Sequence, residues 1–195
     1  NVVVLGDNAF KNCSSLVSVT IPSAVTSIGN NAFYQCSNLA NVAIPNSVIS
    51  VGDSAFYYCT NFTHIVIHDN VASIGKNAFA GCKNVISTTI GAGVYSIGST
   101  AFSGCKGELT INGKVIEINY ETNKSPFYYD GWLHGSEFTD IIIGDCVSKI
   151  GSYVFYWGKC SNIIIGNGVT SIGNHAFDEC STLESITIPD SVTSI

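Results

Sequence analysis

The chain has 195 residues, 46% of them apolar and 11% charged, which is enough apolar material for a folded domain and too little charge for a disordered segment. The eight basic residues are all Lys and the net charge is -6, which leaves no basic footprint for nucleic acid. No apolar run approaches the roughly 18 to 20 residues that cross a bilayer, so membrane insertion is not expected.

The first residues, "NVVVLGDNAF", lack the charged start and cleavage site of a signal peptide. There is no Met in the chain, so it reads as a piece or processed product of something longer, with any export signal upstream.

An apolar residue followed by Gly recurs at Leu5, Ile28, Val51, Ile74 and Ile97, each 23 residues after the last, then at Ile150 and Ile172, with Ile195 at the same phase. The wide interval before Ile150 divides at Ile118, in "KVIEIN", where Asn119 stands for the glycine. Asn is the residue after Gly that best tolerates positive φ, so a left-handed turn is expected at that point. Eight units then fill residues 1–195 as one solenoid domain, with a long aromatic-rich unit at 118–149.

Each unit opens on an alternating apolar stretch: "LVSVTIP", "ANVAIP", "THIVIH", "ISTTIG", "GELTIN", "TDIIIG", "SNIIIG" and "ESITIP". Alternation predicts strands with one buried face, and return at the same phase predicts that they are parallel. Pro22, Pro45 and Pro189, or Gly91, Gly144 and Gly166, stop these strands, after which residues such as Val25 and Ile28 turn a second short extended piece inward. Next, Asn, Asp or Ser often precedes an Ala-Phe pair, a pattern that suggests a capped single helical turn. Phe10, Phe33, Phe56, Phe79, Phe102, Phe155 and Phe177 would stack as a spine, each buried ring contributing about 1.5 to 3 kcal/mol.

With "AFxxC", "L..V.IP..V.SIG" and the 23-residue period in view, residues 2–195 resemble the BspA-like leucine-rich-repeat family. The expected fold is a leucine-rich-repeat solenoid, a right-handed stack of about eight coils. A parallel β-sheet would line its concave face, with short turns or single helical turns on the other side. The resemblance implies cell-surface or secreted proteins of mucosa-associated bacteria and certain protozoan parasites that adhere to host matrix proteins or to other cells. It carries no catalytic residues and no cofactor.

Cys13, Cys36, Cys59, Cys82, Cys105 and Cys180 hold one place after Phe and are expected to form a ladder of free buried thiols, their side chains running parallel instead of converging. Cys146 and Cys160 fall outside that ladder and are also expected to be free. No Cys or His spacing suits zinc, and His64 and His68 on one strand would stand about 13 Å apart, too far to share an ion. His134 and His175 have only commonplace polar neighbours, and no nucleophile elbow, phosphate loop or HExxH occurs, so the chain is not read as an enzyme.

Two surfaces remain as candidates for binding. One is the outward face of the strands, small and polar, which carries His64 and His68. The other is the insertion at 118–140, with Tyr128, Tyr129, Trp132 and Phe138, followed one coil later by Trp157; aromatic clusters of this kind anchor proteins or stack on sugars. The structural alternative has Phe127 in the spine and the other rings covering the bulge. The expected partner is an extracellular protein of host matrix or cell surface. The alternatives are a glycan at the aromatic insertion, or a stalk that carries another binding domain. Asn12, Asn61 and Asn123 open glycosylation triplets that matter only in a eukaryotic secretory host.

Overall fold

The computed structural model describes residues 3–113, the backbone of 115–116, and residues 136–195. Ile118, Asn119, Phe127, Tyr128, Tyr129, Trp132 and His134 lie outside the described residues.

The described chain forms a parallel β-solenoid of about seven turns, close to the expected eight. Its strands in chain order are β1 (Val4–Leu5), β2 (Ser27–Ile28), β3 (Ser50–Val51), β4 (His64–Ile67), β5 (Ser73–Ile74), β6 (Ser87–Ile90) and β7 (Ser96–Ile97). They continue as β8 (Lys106–Ile111), β9 (Val115–Ile116), β10 (Glu137–Ile143), β11 (Lys149–Ile150), β12 (Asn162–Ile165), β13 (Ser171–Ile172) and β14 (Ser185–Thr187). A broad six-stranded sheet runs β14-β12-β10-β8-β6-β4, and narrow ladders run β1-β2-β3-β5-β7 and β13-β11-β9.

The period is set by what each coil must bury. In the narrow ladder Ser27, Ser50, Ser73 and Ser96 stand in register, and so do Ile28, Val51, Ile74 and Ile97, which point into the core. In the broad sheet Ile65, Thr88, Leu109, Ile141 and Ile163 form the corresponding inward row. A one-residue slip would turn each row to solvent, so burial fixes the register.

Several expectations change. In the first two coils the stretches 17–22 and 40–45 are not strands. The Asn41 carboxamide meets the next coil there instead, its Oδ1 accepting the N–H groups of Thr63 (2.9 Å) and His64 (3.0 Å). The phase marker before Ile150 is Ile116 and not Ile118, because β11 pairs Ile150 with Ile116. Nor is the Gly after each described marker left-handed: among the described glycines positive φ is confined to Gly81, Gly104 and Gly107. A Cβ on Gly29 would lie 2.6 Å from Asp7 Oδ1 and 2.7 Å from Asp7 N, so a close approach of the preceding coil demands the missing side chain.

The Ala-Phe segment is a turn and not a helix. Left-handed residues stand immediately before Ala and immediately before Cys, as at Asn31 (φ 53°) and Gln35 (φ 56°). Backbone N–H groups then alternate in direction. Those of Asn31, Phe33 and Gln35 donate forward to Asp53, Ala55 and Tyr57 of the next coil, while those of Ala32, Tyr34 and Cys36 donate within their own turn. All of these donors are thereby satisfied without a helix.

Inside this edge the phenylalanine spine forms as expected. Ring centroids stand 5.3 Å apart from Phe10 to Phe33, 5.1 Å from Phe33 to Phe56, 5.2 Å from Phe56 to Phe79 and 5.4 Å from Phe79 to Phe102, and the last described pair, Phe155 and Phe177, stands at 5.2 Å. All eight cysteines are free. The ladder thiols donate back to spine carbonyls one coil earlier: Cys36 to Phe10 (3.0 Å), Cys59 to Phe33 (3.2 Å), Cys82 to Phe56 (3.4 Å), Cys105 to Phe79 (3.3 Å) and Cys180 to Phe155 (3.2 Å). Cys13, in the first coil, is exposed.

Candidate functional site

The broad sheet presents two outward rows. The first aligns His64, Ser87, Glu108, Asp140, Asn162 and Ser185. This small, polar face also carries charge, because Glu108 and Asp140 stand side by side in register, with Asn162 Nδ2 donating to Asp140 Oδ1 at 3.0 Å. The second row aligns Val66, Thr89, Thr110, Ile142, Ile164 and Thr187, every member β-branched. Val66, on the edge strand β4, is 63% exposed and Ile164, on β12 beside the other edge strand, is 53% exposed, so this row presents apolar side chains to solvent.

His64 lies outward on β4, where the Thr63 hydroxyl, which accepts from Asn41 Nδ2 (2.8 Å), donates to its Nδ1 (2.9 Å). His68 lies just beyond β4 and is half-buried instead of free on the strand face. Its Nε2 donates to the Pro45 carbonyl at 2.6 Å and its Nδ1 accepts the Asn70 N–H at 3.3 Å, a pairing that ties two coils together. The two imidazoles therefore serve separate hydrogen-bond sets. Phe138 is 2% exposed inside β10 and packs in the core, so it offers no contact to a partner. Among the described residues of the aromatic group, Trp157 is the accessible one, 52% exposed on the turn edge and stacked against Tyr156 (6.2 Å).

The turn edge also carries an aromatic column that sequence reasoning missed. Tyr34 stacks on Tyr57 at 4.9 Å and Tyr57 leans on Tyr58 at 4.6 Å, with Lys11 over Tyr34 and Lys83 over Tyr58. Burial, and then the neighbouring Tyr58 and Tyr34 hydroxyls, push the Tyr57 hydroxyl above its ordinary range. From Phe to the residue after Cys, the first five turns hold Lys11, Lys83 and Lys106 and no carboxylate, which makes this a locally cationic edge on an acidic protein. The signal was available: Tyr34, Tyr57 and Tyr156 each stand directly after a spine Phe, and Tyr58 stands directly before the ladder Cys59. Among the described residues no group of three or more His, Cys, Asp or Glu could hold a metal ion. No described helix is long and apolar enough to cross a membrane.

Comparison with solved structures gives the same architecture. A leucine-rich-repeat protein from T. pallidum matches with a TM-score of 0.57 at 21% identity, over 97% of this chain and 72% of that one. A leucine-rich-repeat protein from Eubacterium ventriosum ATCC 27560 matches with a TM-score of 0.56 at 20% identity, over 91% of this chain and 40% of that one. At such identities the likeness concerns the fold. No curated protein matches the chain. The model of the "BspA type Leucine rich repeat region" matches residues 3–126 and 121–195 in six copies, which agrees with the stacked Phe, Cys and Ser-Ile rows, and the chain belongs to that family.

Proposed function

We propose that this chain is a non-catalytic binding module of a cell-surface or secreted protein, and that it engages an extracellular protein through the outward face of the broad sheet. The observation that carries the reading is the unbroken β-branched row from Val66 to Thr187, held in register by parallel pairing and exposed at Val66 and Ile164. A flat, stiff, partly apolar strip with polar neighbours can contact a partner over a long line without reorganising, which lowers the entropic cost of binding. Membership of the BspA-type family supports the same reading.

A second reading, glycan recognition on the turn edge, is favoured by the exposed Trp157 and the Tyr34, Tyr57 and Tyr58 column with its flanking lysines. Binding of the chain to arrays of extracellular-matrix proteins and of glycans tests both, run beside Val66→Lys/Ile164→Lys and Trp157→Ala/Tyr58→Ala variants of native stability. Loss of saturable protein binding in the first variant is expected. Loss in the second variant alone would move recognition to the turn edge, and no binding by the parent would leave the chain a stalk.

A further inference from the structure

The turn edge of the first five coils holds its cations against its aromatic rings. Lys11 stands directly after Phe10, and its Nζ lies 5.3 Å from the centre of the Tyr34 ring in the next coil. Lys83 stands directly after Cys82, and its Nζ reaches back to 5.6 Å from the centre of the Tyr58 ring. The column of Tyr34, Tyr57 and Tyr58 is therefore clasped by one ammonium from the first coil and one from the fourth, across three coil steps of 5.1 to 5.3 Å. Lys106, directly after Cys105, repeats the position of Lys83 in the fifth coil and is exposed.

These charges are not neutralised nearby. Lys11, Lys83 and Lys106 form no ion pair among the described residues. The carboxylates that open two of the same turns are engaged elsewhere: Asp7 Oδ1 accepts the Asn30 N–H and Asp53 Oδ1 the Lys76 N–H, each at 2.7 Å. Later coils differ. Lys159 is paired with Glu137 at 3.5 Å, and Asp178 and Glu179 stand between Phe177 and Cys180 where Tyr57 and Tyr58 stand between Phe56 and Cys59. The cationic, aromatic stretch is thus confined to the first five coils.

The sequence also makes room for Tyr58. One coil later its place is taken by Gly81, where a Cβ would lie 2.6 Å from Tyr58 Cδ2, so the ring leans over a residue without a side chain and is held there while remaining exposed. Ring and ammonium groups are set before any partner arrives, which lowers the cost of ordering them on binding.

We propose that this edge binds an acidic polysaccharide, a chain of sugars bearing sulfate or carboxylate groups, laid along the axis of the solenoid. The proposal rests on the turn-edge reading given above and names the class of glycan. An aromatic ring covers the apolar face of a sugar, while an ammonium beside that ring keeps donors free for an anionic substituent. A linear polymer repeats its charges, as the edge repeats its coils, so one chain can meet Lys11, Lys83 and Lys106 together, whereas a small sugar with one charge meets a single lysine. On a protein of net charge -6 only such a local cluster attracts a polyanion, and the attraction is screened by salt.

The test is calorimetric titration of the chain with heparin oligosaccharide, with the same oligosaccharide desulfated and carboxyl-reduced, and with polyglutamate. Saturable binding of heparin is expected, with the uncharged chain at least about tenfold weaker. Lys11→Gln/Lys83→Gln/Lys106→Gln and Tyr58→Leu, each first matched to the parent in urea midpoint, should each lose about tenfold in heparin affinity. Equal binding of the charged and uncharged chains, both lost in Tyr58→Leu, would overturn the acidic class and leave the turn-edge glycan reading standing. No binding of either chain would sink both. Polyglutamate bound as tightly as heparin, or heparin binding unchanged in either variant, would also overturn the proposal. Should Tyr58→Leu fail to fold, the lysine variant still decides, because its three side chains are exposed.

Discussion

Cys59 donates its thiol hydrogen to the carbonyl of Phe33 in the preceding coil at 3.2 Å, so each such cysteine fastens its own turn to the spine residue beneath it. The sulfur is a packing group and a coil-to-coil hydrogen bond at once. Removing it in Cys59→Ala should cost about 1 to 3 kcal/mol, from a lost hydrogen bond, an orphaned carbonyl and a small cavity. Urea unfolding followed by circular dichroism measures this, and an unchanged midpoint would mean that the thiol only fills space.

The same burial makes a prediction in pH. Desolvation, reinforced by the neighbouring Cys82 and Cys36 thiols, raises Cys59 well above the ordinary thiol value near 9.0. A group raised in the folded state contributes stability in full below its unfolded pKa and loses it as pH rises toward the folded one. Stability should therefore decline from about pH 9 upward in the parent, and less steeply in Cys59→Ala, as denaturant midpoints at successive pH values would record.

Thr88 occupies an inward position in β6 between Ile65 and Leu109, is 1% exposed, and its hydroxyl has no hydrogen-bond partner. A buried hydroxyl without a partner costs about 1 to 3 kcal/mol, so Thr88→Val, nearly isosteric, should raise stability by about 1 kcal/mol or more. A lowered melting temperature would show that the hydroxyl finds a partner, such as a bound water.

Phe56 is fully buried, with Phe33 on one side and Phe79 on the other. Phe56→Ala should cost about 3 to 5 kcal/mol, whereas Phe177→Ala, at a partly buried ring, should cost clearly less. Equal losses would contradict the graded burial of the spine.

Asn31 holds φ 53°, a region that β-branched residues enter at a cost of about 1 to 2 kcal/mol. Asn31→Val should be destabilised by about that amount while Asn31→Gly stays close to the parent, a contrast that calorimetry reads directly.

Much of the fold was legible in the sequence because burial repeats at fixed phase. The Ile28, Val51, Ile74 and Ile97 row, the Phe spine and the Cys ladder each follow from one residue type at one spacing. What was not legible depends on contacts between coils. The marker Ile116 escaped notice because no glycine follows it, and only its backbone pairing with Ile150 identifies it. The double left-handed turn was read as a helical turn because Asn before Ala-Phe suits both, and the choice is made by N–H groups reaching the next coil. Phe138 looked like a surface anchor because the insertion is aromatic, yet a register shift in β10 between Phe138 and Asp140 resets the alternation and sends its ring inward. His68 seemed free because the Pro45 carbonyl that holds it belongs to another coil.

Hydrogen bonds between coils repeat the same directions at every joint: Asn8, Asn31 and Ser54 donate forward to Asn30, Asp53 and Lys76, while Gly29, Gly52 and Gly75 donate backward to Leu5, Ile28 and Val51. Every joint between neighbouring regular coils is thus the same joint, with a fixed upper and lower side, like nested cups. An unequal crossover that inserts or removes one whole period would rebuild identical joints on both sides of the scar, whereas a fractional period would leave donors facing donors. Length can then vary in a lineage of such genes in steps of one cup, while the shape of the exposed strip is conserved.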